Sequence, residues 1–153
     1  SNWYAFQTGT GNFGMEIESS NNNNAYFPKV SNITLKRNAG TQTEGGSSAA
    51  EYDAIQFKKE GNGEFTNIVI SGYTTANSTA VRIQDNNTNN NQVNGGKIKL
   101  FNVKINDGTS QAAGAGTVVV NFMSENYTIS NVATGAALTN GAWATVDGVN
   151  LIQ

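Results

Sequence analysis

Apolar residues in this chain rarely form blocks; they alternate with polar ones over stretches of four or five residues. Ser31-Asn32-Ile33-Thr34-Leu35, Thr66-Asn67-Ile68-Val69-Ile70 and Phe101-Asn102-Val103-Lys104-Ile105 share an Asn, an aliphatic, any residue, then an aliphatic. The three Asn stand at equal steps of 35 residues. Ser130-Asn131-Val132-Ala133-Thr134 is a degenerate fourth copy, and Asp147-Gly148-Val149-Asn150-Leu151 a candidate fifth without its Asn. A second strand type lies upstream: Met15-Glu16-Ile17-Glu18, Ala54-Ile55-Gln56-Phe57, Ala80-Val81-Arg82-Ile83 and Thr117-Val118-Val119-Val120. Alternation with period two predicts half-buried strands.

One such coil cannot bury its own inward side chains, so equivalent strands must stack on neighbouring coils and share a core. The pattern predicts an all-β right-handed parallel β-helix of about four to five coils. It would form a single domain over residues 1–153 and a piece of a longer solenoid. The recurring Asn suits a coil corner, because Asn tolerates left-handed backbone and its amide can bond the Asn of the next coil. Asn21 to Asn24, Ala39 to Ala50, Asn86 to Asn94 and Ser110 to Gly116 read as loops projecting from corners. The alternative architecture is a β-sandwich with Asn-rich hairpin loops, for which Asn62-Gly63, Asn94-Gly95 and Asp107-Gly108 would serve as turns.

Composition narrows the function classes. Charged residues make up 13% of the chain, about half the roughly 25% of an average soluble domain. The net charge of −2 offers no basic field for phosphates, which argues against nucleic-acid binding. With no Cys and no His, disulfides, thiolate metal sites, cysteine nucleophiles and the usual general base are all excluded. No apolar run approaches the roughly 18 residues of a membrane span. The start at Ser1-Asn2-Trp3 without Met fits a processed or excised piece.

Several stretches are similar to a known family. Gly14-Met15-Glu16-Ile17-Glu18-Ser19, Pro28-Lys29-Val30-Ser31-Asn32-Ile33-Thr34-Leu35, Asp53 to Lys59 and Phe65 to Tyr73 resemble the C-terminal half of secreted β-helix surface proteins of the Bacteroidota. Those proteins often carry the label multidrug transporter. The likeness spans roughly residues 12 to 105. It implies a secreted or cell-surface location, at the outer-membrane exterior or in the periplasm, and no established reaction. It also implies that upstream coils are missing, so that this piece would pack on them or on another chain.

Many parallel β-helices bind or cleave polysaccharides along a groove. A lyase of that kind needs acidic residues to hold Ca²⁺ and an Arg or Lys base to take a proton. Asp53, Lys58, Arg82 and Asp85 are the nearest approach to such a set, with Glu60 and Lys59 beside them. Arg82-Ile83-Gln84 is faintly similar to the Arg-Ile-Lys of polygalacturonases, whose paired Asp and Gly-His-Gly are absent. Charges on the outer face of a strand are more often a solvated surface, so the leading expectation is a chain with no catalytic residues. Glu16 and Glu18 point to one face and could share a calcium ion, whereas Asp85 and Asp107 follow strands and suit turn capping. Flat aromatic faces stack on sugars; Tyr26, Tyr52 and Tyr73 border the loops and are the candidate ligand contacts, while Trp3 and Trp143 are assigned to cover the solenoid ends. The partner expected is a polysaccharide or a surface protein.

Overall fold

The computed structural model describes residues 1–8, 13–19, 25–38, 53–75, 78–107, 109–139, 141, 144–150 and 152. The loops at Asn21 to Asn24 and Ala39 to Ala50, together with Tyr52 and Trp143, lie outside these residues.

Alternating strands build two parallel sheets. One contains β1 (Trp3–Gln7), β3 (Lys29–Arg37), β5 (Gly63–Ser71), β7 (Ile98–Ile105) and β9 (Tyr127–Ile129), in that spatial order. The other contains β2 (Met15–Glu18), β4 (Ile55–Lys58), β6 (Thr79–Ile83) and β8 (Ser110–Gly114). The chain alternates between the sheets, each strand pairing in parallel with the equivalent strand one coil on. This is an all-β parallel solenoid; a sandwich would pair neighbouring strands antiparallel.

Registration places like on like. Val30, Phe65, Leu100 and Tyr127 form one row, Ile33, Ile68 and Val103 a second, and Leu35, Ile70 and Ile105 a third. Across the core stand Met15, Ile55, Val81 and Ala112, beside Ile17, Phe57, Ile83 and Gly114. Most of these side chains are fully buried, so their apolar area leaves water coil by coil.

Asn32, Asn67 and Asn102 all have left-handed backbone, with φ of 58°, 56° and 55°. Each bends its strand: pairing runs through Ser31↔Thr66, skips the Asn, and resumes at Ile33↔Ile68. The Asn67 amide donates to Asn32 Oδ1 at 2.8 Å, one step of the expected corner ladder.

Five expectations need correction. Thr117 to Val120 is not a strand of the second sheet; its fourth strand is β8, within the stretch expected to be a loop. Val118, Val120 and Phe122 instead pack on the core, and the Phe122 ring meets Tyr127 edge-on at 5.2 Å. Alternation is satisfied equally by a segment laid on the core, which is why the pattern misleads. Asn86 to Asn94 is helical, with Asn86–Thr88 capped by Asp85 and a π turn over Asn89–Val93. The strand that stacks after β7 is β9, not the expected fourth copy at Ser130 to Thr134. The fifth copy is a hairpin, β10 (Thr145–Val146) with β11 (Val149–Asn150), turning at Asp147-Gly148 with positive φ at both. At the other end Trp3 aligns with the Ile33 row and stays half exposed.

Candidate functional site

In β2, β4 and β6 the period of two that buries Met15, Ile17, Ile55, Phe57, Val81 and Ile83 turns the intervening residues outward. Glu16, Gln56 and Arg82 therefore form one row across the sheet, and Glu18 and Lys58 begin a second. The topology thus gathers most of the charged candidates on one face.

Lys58 Nζ lies 3.1 Å from Glu16 and 3.4 Å from Glu18, and Lys59 Nζ lies 3.1 Å from Glu18. Burial works against the charge on Lys58, but Glu16 and then Glu18 outweigh it and hold the amine protonated above its usual range. Lys59 holds the Glu18 carboxyl below its usual range, chiefly through their hydrogen bond. Lys58 thus lies between the two carboxylates that could share a calcium ion. Among the described residues no group of three or more His, Cys, Asp or Glu is arranged to hold a metal.

Asp53 is fully buried. It accepts from Arg82 Nε and Nη2, both at 3.1 Å, and from the Thr79 amide at 2.8 Å and hydroxyl at 3.0 Å. Burial pushes its carboxyl up, against the pull of Arg82 and Thr79. Arg82 also donates Nη1 to the Gly114 carbonyl at 2.9 Å, so the guanidinium ties together three successive coils.

Asp85 accepts the Thr88 amide and hydroxyl, both at 2.8 Å, and the Lys59 amide at 2.9 Å. Thr88 Oγ1 accepts the Glu60 amide at 2.9 Å. Lys59 and Glu60 are both left-handed, with φ of 47° and 60°, and these bonds brace them from the next coil. Asp107 does the same for another corner, accepting the Gly72 amide at 2.8 Å. Both aspartates are turn residues.

The two described tyrosines of the candidate set, Tyr26 and Tyr73, are not brought together. Tyr26 precedes β3 and is 80% exposed, next to the partly exposed Phe27. Tyr73 follows β5 and is 0% exposed, its hydroxyl donating to Gln7 Oε1 at 2.6 Å beneath the Arg37 guanidinium. With its ring covered, Tyr73 has no face left for a sugar, which removes it from the candidate ligand contacts.

Sequence reasoning passed over the amides that join neighbouring coils. Gln56 Nε2 donates to Gln84 Oε1 at 2.9 Å, and Asn62 Nδ2 to Gln92 Oε1 at 3.0 Å. Gln56 was legible as the outward position of Ala54-Ile55-Gln56-Phe57; Gln92 was not, because its helical segment had been read as a loop. Gln56, Asn62 and Gln92 are buried, so these amides tie neighbouring coils to one another.

No described helix is long and apolar enough to cross a membrane. No curated protein and no solved structure is significantly similar to the chain. The family model for the pectate-lyase-like β-helix domain matches residues 1–146, and with the stacked parallel coils now described the chain belongs to that family.

Proposed function

We propose that this chain is a non-catalytic β-helix module of a secreted or cell-surface protein, presenting its corners and outer face to a glycan or a protein partner. One observation carries the reading: each charged group of the nearest catalytic set is engaged in holding coils. Asp53 and Arg82 grip one another, Lys58 bridges Glu16 and Glu18, and Asp85 braces a corner. Tyr26 is the exposed aromatic that the sugar-stacking expectation leaves, with Tyr52 still a candidate. A glycan array probed with the wild type and with Tyr26→Ala tests this. Binding that weakens in the variant while thermal stability holds supports the reading.

The family description favours a second reading, a polysaccharide lyase or hydrolase fragment. Incubation with uronate polysaccharides, followed by ultraviolet absorbance of unsaturated products, separates the two. Activity lost in folded Lys58→Ala would overturn the non-catalytic reading.

A further inference from the structure

The Asn corner has an occupant. After β9 the chain turns back over the first sheet and crosses the coils in reverse order. Ser130 bonds the Val103 carbonyl of β7, Thr134 and Gly135 meet Asn67 of β5, and Ala136 meets Thr34 of β3. Asn67 Oδ1 accepts the amides of Thr134 at 2.8 Å and Gly135 at 3.2 Å. Asn67 Nδ2 donates to Thr134 Oγ1 at 3.1 Å and to the Gly135 carbonyl at 3.3 Å. The Ala136 amide donates to Thr34 Oγ1 at 2.9 Å. One carboxamide thus serves the N–H and C=O groups of a peptide as a neighbouring strand would.

Size, not side-chain chemistry, sets what fits. Ala133 and Gly135 face inward and are buried, whereas Val132 and Thr134 face solvent. Gly135 has φ of +69°, and a Cβ there would lie 2.2 Å from Thr34 Oγ1 and 3.1 Å from the Ile33 carbonyl. No L side chain fits without displacing the segment.

We infer that the Asn67–Thr34 corner is a backbone-reading site for a peptide with small residues at alternate positions and a left-handed glycine at the second of them. Residues 134–136 occupy it in cis, and the same segment of a second copy can occupy it in trans. This site is separate from the glycan-facing surface above and stands or falls apart from it.

The test uses the full chain. In Gly135→Val the resident segment cannot seat, so the amides of residues 134–136 are expected to lose protection against hydrogen exchange while those of β5 keep theirs. A labelled peptide of residues 130–139 should then bind Gly135→Val, bind the wild type far more weakly, and fail to bind Gly135→Val/Asn67→Gly. The Asn67→Gly change removes the carboxamide but keeps the left-handed corner. Thr34→Val, which leaves that corner intact, should weaken peptide binding to Gly135→Val as well. Unchanged protection at residues 134–136 in Gly135→Val, absence of peptide binding to it, or binding that survives the loss of Asn67 would each overturn the inference.

Discussion

Arg82 holds both carboxylate oxygens of Asp53, Nε on Oδ2 and Nη2 on Oδ1, each at 3.1 Å. Because Asp53 is buried, removing Arg82 leaves a charge without its counter-ion, a change that typically costs about 3–5 kcal/mol. Arg82→Met is expected to lose stability in that range. The double variant Asp53→Asn/Arg82→Met should lose clearly less than the two single losses added together. Urea denaturation of the four forms measures the coupling, and strict additivity would show that the residues do not act as a pair.

Asn102 is exposed and left-handed, with φ of 55°. A β-branched residue tolerates that backbone poorly, so Asn102→Val is expected to lose about 1–2 kcal/mol. Asn102→Gly, free to adopt the same bend, should lose less. Thermal melts of the two distinguish backbone strain from loss of the side chain; equal losses would assign the corner's value to the Asn amide.

Asp85 and Asp53 give opposite slopes in acid. Burial pushes Asp85 up, but bonds from the Thr88 amide and hydroxyl and the Lys59 and Asn87 amides outweigh it and hold the carboxyl below its ordinary 3.8. Its stabilisation is therefore complete above that value and fades as pH falls through the lower folded one. Burial raises Asp53 above its ordinary 3.8, so its share is complete at low pH and is lost as pH rises through the folded value. Denaturant titrations from about pH 2 to about pH 6 should show a shallower acid loss in Asp85→Asn than in the wild type. Parallel curves would remove Asp85 from the acid response.

Burial raises the Tyr73 phenol well above its ordinary 10.0, with Arg37 opposing. Its contribution is intact below pH 10 and declines as pH rises beyond it, since the unfolded chain releases the proton first. Tyr73→Phe is expected to flatten that alkaline decline while losing the Gln7 hydrogen bond, worth about 1 kcal/mol. Tyr127 is raised in the same way and retains its own share in the variant. An alkaline decline as steep as the wild type's would exclude Tyr73 as its source.

Lys58 fills the place that a calcium ion shared by Glu16 and Glu18 would need. With Lys58 Nζ at 3.1 Å and 3.4 Å from Glu16 and Glu18, the wild type is expected to show no rise in Tm on adding millimolar calcium. Lys58→Ala, which leaves the carboxylates facing one another, should show one. Calorimetry in calcium and in chelator decides it, and a rise in the wild type would restore the two glutamates as a cation site.

The repeating part of the fold was legible because repetition is what stacking demands: Ile33, Ile68 and Val103 occupy one row and therefore look alike in sequence. The ends do not repeat. Val118, Val120 and Phe122 meet the core as a lid rather than as a rung, so their alternation was real while its assignment to a sheet was not. Of the candidate site, the outward positions of β2, β4 and β6 followed from parity. What parity cannot show is engagement between coils. The grip of Arg82 on Asp53 and the burial of Tyr73 depend on which residues the neighbouring coil brings alongside. Asn67 illustrates this most clearly, since its ladder partner was evident from spacing and its bonds to Thr134 and Gly135 were not.

Unequal lengths of chain separate equivalent strands, yet the second sheet keeps its registration: Met15 pairs with Ile55, and Ile55 with Val81 after a much shorter interval. Length is absorbed at the corners, where each doubling of a loop costs only about 0.6 kcal/mol in closure entropy. Corners can therefore be exchanged as cassettes, by evolution or by design, without resetting the pitch of the rows beneath. A foreign segment spliced between Arg37 and Asp53 would ride on the same scaffold, and diversity in what is displayed becomes independent of what keeps the protein folded.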